Sequence, residues 1–122
     1  MKPLRTDREY PGSWRHRAAL LWFVLLLTPV LVQAQTLEVE IQIREHLFYP
    51  SEVRIPASTK VKLIIRNLDA TPEEFESYEL NREKMIVGNS QGIVFIGPLE
   101  PGEYPFFGEF NPRTAQGKVI VE

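Results

Sequence analysis

The stretch Leu37-Glu38-Val39-Glu40-Ile41-Gln42-Ile43-Arg44 alternates strictly between apolar and polar side chains. Successive side chains of a strand point to opposite faces, so this pattern sets Leu37, Val39, Ile41 and Ile43 against a core and turns Glu38, Glu40, Gln42 and Arg44 to water. Short runs of the same kind recur at residues 52–55, 60–66, 75–80, 85–87, 92–96, 103–107 and 118–122. The separators are Pro50-Ser51, Pro56-Ala57-Ser58, Asn67-Leu68-Asp69, Gly88-Asn89, Gly97-Pro98 and Pro101-Gly102. In such turns Pro presets φ and Gly accepts positive φ. No segment carries a sustained helical period. The expectation is an all-β sandwich of eight short strands, with room for a site in the longer stretches 69–78 and 108–117.

Upstream of the first strand the chain changes character. The first 17 residues are polar and basic, and Ala18 to Val32 (AALLWFVLLLTPVLV) is an apolar run of 15 residues ending at Val32-Gln33-Ala34. That run is shorter than the roughly 20 residues that span a bilayer. The small residue Ala34 suits a signal peptidase, so residues 1–34 read as a cleavable secretory signal peptide and residues 35–122 as one domain outside the cytoplasm. His16 separates Arg15 from Arg17, which leaves no twin-arginine pair and points to general secretion.

The charge balance follows the same division. Residues 35–122 carry nine Lys and Arg against fourteen Asp and Glu, a formal charge of −5. An acidic domain is a poor nucleic-acid partner and suits cations better. The whole chain of 122 residues has no Cys, which excludes disulfides, zinc fingers and thiolate chemistry. Beyond residue 34 there is one His (His46), one Asp (Asp69) and one Met (Met85), too few for a Ser-His-Asp hydrolase. No phosphate-binding loop, paired-histidine zinc motif or calcium loop is present. Nine aromatics (Phe48, Tyr49, Phe75, Tyr78, Phe95, Tyr104, Phe106, Phe107 and Phe110) are expected to supply much of a small core.

The chemistry that remains is carboxylate-rich. It is concentrated in Glu73-Glu74-Phe75-Glu76, with Glu79 and Glu83 nearby. In a strand Glu74 and Glu76 share one face and Glu73 and Phe75 the other. A solvated acidic edge is the ordinary meaning of such a run, and Arg82 and Lys84 are at hand to neutralise it.

Two longer stretches carry a resemblance. The segment PGEYPFFGEFNPRTAQGKVIVE, from Pro101 to Glu122, resembles the closing hairpin of cupredoxins, with its Pro-Gly turn, aromatic strand, ligand loop and last strand. FYPSEVRIPASTKVKLIIRNLDATPEEF, from Phe48 to Phe75, resembles their opening half. More narrowly, ATPEEFESYELNREK (Ala70–Lys84) with IGPLEPGEYPFFGEFNPRTAQG (Ile96–Gly117) is similar to the cupredoxin-like proteins that accompany bacterial iron permeases of the Ftr and Efe type. The resemblance implies a cupredoxin-like Greek-key β-sandwich of about seven to eight strands. It also implies a periplasmic protein that binds copper or iron, assists ferrous iron uptake beside a permease by helping to oxidise the iron before permeation, and meets the membrane only through that partner.

Position by position, the resemblance departs from a blue-copper site, which needs two His, a Cys thiolate and usually an axial Met. Gly108 falls where the Cys would sit, Asn111 where the second His would sit, and Glu73 in place of the first His. A type 1 copper centre is therefore excluded. The metal candidates are His46, Glu73, Glu74, Glu76, Glu109 and Met85, with the strand phase deciding which of the three clustered glutamates faces a site. A thioether such as Met85 more often fills a core gap. No self-sufficient catalytic site is expected. The competing expectation is a metal-free adaptor that keeps the sandwich and docks to a permease or periplasmic partner through its acidic edge.

Overall fold

The computed structural model describes residues 1–4, 12, 23–31 and 36–122. Two compact units are present, Met1–Val32 and Gln33–Glu122. In the first unit residues 23–31 form no helix or strand, and Phe23, Leu27 and Leu31 are open to solvent. Among the described residues no helix is long and apolar enough to cross a membrane. The Ala34 cleavage position and most of the basic start of the leader lie outside the described residues.

The second unit has nine strands: β1 (Leu37–Arg44), β2 (Leu47–Tyr49), β3 (Glu52–Ile55), β4 (Val61–Asn67), β5 (Glu73–Ser77), β6 (Arg82–Ile86), β7 (Ser90–Ile96), β8 (Gly102–Gly108) and β9 (Gln116–Val121). They form two sheets, ordered β2-β1-β4-β7 and β3-β9-β8-β5-β6. Both sheets are mixed, because β1 runs parallel to β4 and β3 parallel to β9.

Alternation dictates the packing. Ile41 and Ile43 of β1 and Val61, Leu63 and Ile65 of β4 are buried, and Val94 and Ile96 of β7 continue the same layer. On the outer face Glu38 pairs with Lys62 (3.4 Å) and Glu40 with Arg66 (3.1 Å). Exposed pairs of this kind contribute at most about 1 kcal/mol each, so they mark the register more than they hold it. The second sheet meets the first through Val53, Ile55, Phe75, Phe106, Val119 and Val121. At the centre Phe106 lies 5.0 Å from both Phe48 and Phe75, edge-on to the former. Gly117 sits opposite Phe106 in the β8–β9 register, and a Cβ there would come within 2.5 Å of the ring, so the aromatic covers a position that only glycine leaves open.

Three expectations need correction. Among the described residues there are nine strands rather than seven or eight, because the three-residue β2 is too short to show an alternation of its own. The third quarter is shifted: β5 begins at Glu73 rather than Phe75, with Tyr78 and Leu80 in the following turn, and β6 begins at Arg82 rather than Met85. In Arg-Glu-Lys-Met-Ile only Ile86 is buried, so this edge strand lacks an apolar rhythm. The core is mainly aliphatic: of the nine aromatics only Phe48, Phe75 and Phe106 are buried, while Tyr49, Tyr78, Phe95 and Phe110 are exposed.

Candidate functional site

The β1–β2 hairpin turns on Glu45 and His46, both at positive φ (51° and 60°). A two-residue turn of this hand normally takes Asn or Gly, and the two bulkier residues need outside support. Asp69 supplies it from the loop after β4. Its Oδ1 accepts the Glu45 N–H at 2.8 Å and its Oδ2 the His46 N–H at 2.9 Å. The ring of His46 is half exposed, with Nδ1 3.8 Å from Asp69 Oδ2.

Asp69 is held in turn by Asn67, the last residue of β4. Asn67 lies in the inward phase of the strand and is fully buried. Its Oδ1 accepts the Asp69 N–H at 3.0 Å, and its Nδ2 donates to the carbonyls of Thr71 (2.8 Å) and Ile86 (3.2 Å). A buried amide in an apolar phase is stable only with such partners.

Glu73 opens β5 in the same inward phase and is 1% exposed. Its Oε1 accepts the N–H groups of Glu74 and Phe110, both at 3.0 Å. Its Oε2 accepts from Asn111 Nδ2 at 2.8 Å. Asn111 Nδ2 also lies 3.3 Å from His46 Nδ1, which accepts from it in the Nε2–H tautomer. Asn111 sits in a tight loop closed by Gly108 N–H to Ala115 O (2.8 Å) and Ala115 N–H to Asn111 O (2.9 Å). Gly108 makes room for the carboxylate: a Cβ at 108 would fall 2.6 Å from Glu73 Cδ and 2.9 Å from Ala115 Cβ. Glu73, Gly108 and Asn111 thus come together at one end of the sandwich, and His46 joins them through the amide.

Glu74 and Glu76 point the other way. With Glu83 of β6 they place one carboxylate oxygen each within 4.8 Å of one another. Glu76 stands directly opposite Glu83 in the antiparallel register, an unfavourable like-charge pair. Glu76 Oε2 is buried and has no hydrogen-bond partner among the described residues. Partial withdrawal from water, a hydrogen bond with Glu83 and the charges of Glu109, Glu83 and Glu76 push the Glu74 carboxyl up to about 7. Glu76 is raised as well, by withdrawal from water and then by Glu83 and Glu109. The cations expected to neutralise this run do other things: Arg82 donates to the carbonyls of Phe95 and Asn81, both at 2.8 Å, and Lys84 faces the opposite side with Phe75. Met85 lies beside Glu74 across the strand pair and is 48% exposed, so it does not fill the core.

The six sequence candidates therefore divide. His46 and Glu73 meet at the inner end, and Glu74, Glu76, Glu109 and Met85 belong to the outer face. Sequence reasoning missed the supporting role of Asp69 and Asn67 and left Glu83 at the margin. Asn67 had a signal, a polar residue two positions after Ile65 in the buried phase; Asp69 had none, because its partners lie 23 and 24 positions away.

A model of the cupredoxin-like domain matches residues 16–121. An uncharacterized protein of Rickettsia prowazekii is 49% identical over 85 residues, covering 70% of this chain and 68% of its own. Auracyanin A, a "blue" copper protein of Chloroflexus aurantiacus, superposes with a TM-score of 0.63 at 15% identity, covering 72% of this chain and all of the other. The metal binding domain of the Streptococcus pneumoniae Cu(I) exporting P-type ATPase gives 0.63 at 12% identity, with 74% and 98% covered. At these identities the solved structures show the fold alone. A type 1 copper ion does not fit the residues present, because no thiolate exists and the carboxylate of Glu73 fills the space against Gly108. By fold and by sequence model, this chain belongs to the cupredoxin-like domain family.

Proposed function

We propose that this chain is an exported, periplasmic accessory of iron uptake that stands beside a permease and receives its cation through oxygen and imidazole donors rather than a thiolate. The observation that carries this is the convergence of Glu73 Oε2 and His46 Nδ1 on one atom, Asn111 Nδ2, at 2.8 and 3.3 Å. Two acceptor atoms aimed at one point favour a positive centre, and the amide N–H groups supply it here. Asn111 also carries a carbonyl oxygen, so turning its amide adds a third donor. A carboxylate, an amide oxygen and an imidazole suit iron or Cu(II), whereas Cu(I) favours sulfur. Carboxylates stabilise Fe(III) over Fe(II) and so favour oxidation, but the electron must pass to a second redox partner. By itself the chain is a binding protein and not an oxidase.

The test is calorimetric titration of the metal-stripped protein with Cu(II) and, without oxygen, with Fe(II). Stoichiometric binding is expected, abolished by His46→Ala and weakened by Glu73→Gln, yet retained in the combined Glu74→Gln, Glu76→Gln, Glu83→Gln variant. Binding lost only in that combined variant would move the cation to the outer face.

A second reading has its own support. Glu73 already accepts three hydrogen bonds, so the carboxylate and amide also make a complete internal strut without any ion. On that footing the chain is a metal-free adaptor that docks to the permease or a periplasmic partner through Glu74, Glu76 and Glu83. Absence of ion binding, with partner capture lost in the combined outer-face variant, would select it.

A further inference from the structure

We propose that the outer face of the second sheet is a docking groove for an extended basic segment of another protein, one that carries a Pro or aliphatic anchor two or three residues before an Arg or Lys. This rests on the docking reading under Proposed function, whose acidic edge becomes one half of the surface, and it stands apart from the cation reading of the inner end. Gln116 of β9, Phe107 of β8, Glu76 of β5 and Glu83 of β6 are successive partners across four strands. All four lie in the outward phase. Between β8 and β9 this row opens into a groove of about 420 Å³ lined by Pro105, Phe106, Phe107, Pro112, Gln116 and Gly117. Gln116 Nε2 donates to Pro112 O at 3.0 Å and ties the loop at the end of the groove to β9. Walls of aromatic and prolyl carbon receive a Pro or aliphatic side chain and disfavour a charged one.

At its other end the row reaches a smaller hollow of about 170 Å³ whose walls include Glu76, Tyr78 and Glu83. The rings of Tyr78 and Phe107, 5.5 Å apart, form the ridge between the two hollows. Glu74, Glu76 and Glu83 gather their carboxylate oxygens within 4.8 Å, and Glu76 Oε2 has no partner among the described residues. The nearby cations are engaged elsewhere. Arg82 donates to Phe95 O and Asn81 O, and Lys118, opposite Pro105, is held by Glu103 at 3.2 Å and Glu52 at 3.9 Å. Arg113 follows Pro112 in a loop where Glu109 balances its formal charge. The complement of this surface is therefore apolar on one side of the ridge and positive on the other. Adjacent strands lie about 4.8 Å apart, so the middle of the groove and the middle of the Glu76–Glu83 pair are two strand spacings, about 10 Å, from each other. An extended chain advances about 3.3 Å per residue, which sets anchor and cation about three positions apart, or two where a long Arg or Lys stem covers the remainder.

The test titrates isotopically labelled full-length protein with the capped heptapeptide Gly-Pro-Leu-Ser-Arg-Arg-Gly and follows the backbone amides by NMR. Saturable shifts are expected together at Phe107, Gln116 and Gly117 and at Glu76 and Glu83. A peptide with Glu in place of both Arg, and one with Ser in place of Pro and Leu, should each bind about tenfold more weakly or worse. Phe107→Ala removes a groove wall and should weaken binding about tenfold. Gln116→Lys alters only an exposed side chain and sets a like charge beside the incoming cation, so it should weaken binding at least about threefold with the fold intact. The combined Glu74→Gln, Glu76→Gln, Glu83→Gln variant should weaken it about tenfold and flatten its dependence on salt. Absence of saturable binding, or equal binding of either control peptide, would overturn the proposal. So would amide shifts at the groove that grow with protein concentration alone, because a second copy would then be the occupant. Binding lost in the combined glutamate variant but unchanged in both Phe107→Ala and Gln116→Lys would strike the groove and leave the docking reading of the acidic edge standing. Binding unchanged in the combined variant would remove the acidic edge from docking and the proposal with it.

Discussion

Adjacent residues of one strand, Glu73 and Glu74, have opposite electrostatic surroundings. Glu73 is buried, and three donors meet its oxygens. Glu74 faces other carboxylates, as does Glu76, one oxygen of which has no partner among the described residues. The difference follows from strand geometry, which sends successive side chains to opposite faces. It teaches that a run of glutamates is not one feature. The inner carboxylate belongs to the architecture and converges with His46, whereas the outer ones repel one another across the β5–β6 pair.

The contrast can be broken most forcefully at Glu73. Glu73→Ala leaves the N–H groups of Phe110 and Glu74 and the amide of Asn111 without their acceptor beside a new void, and should cost about 3–4 kcal/mol in chemical denaturation. Gly108→Ala pushes a methyl group into the same carboxylate and should cost about 2 kcal/mol. Asn111→Ala removes one hydrogen bond from Glu73 and should cost about 1–2 kcal/mol by the same measurement.

On the outer face the effect is expected to be smaller and to carry the opposite sign. The folded state raises Glu74 to about 7 and also raises Glu76, so between the ordinary carboxylate range and about pH 7 the folded protein holds protons that the unfolded chain has released. Stability should fall as pH rises through that window. Glu83→Gln removes the opposing charge and should raise the melting temperature at pH 8 while leaving it little changed at pH 5. A melting temperature that climbs with pH in wild type, or a variant less stable at pH 8, would contradict this account of the outer face.

How much of this could be read beforehand varies with the distance over which each feature is decided. The alternation of β1 and the opposite faces of Glu73 and Glu74 are local properties; the second emerged as expected, and the first did at Ile41 and Ile43, whereas Leu37 at the start of the strand stays exposed. β6 escaped because its exposed residues leave no apolar period, and β2 because three residues cannot show one. Resemblance named positions 73, 108 and 111, and the structure brings them together. The link from Asp69 to the His46 turn joins two loops far apart in the chain, and no local pattern encodes it. The destination of Arg82 was hidden for the same reason, since its partner Phe95 O lies on the other sheet.

The most direct test of the central claim follows the side-chain amide of Asn111, with Zn(II) as a diamagnetic probe that accepts carboxylate and imidazole donors. On titration the Asn111 side-chain resonances and the His46 ring resonances should shift together to a stoichiometric endpoint, while the backbone amides of Glu83 and Met85 stay in place. Shifts confined to Glu74, Glu76 and Glu83, with Asn111 and His46 unmoved, would contradict the assignment of the cation to the inner end.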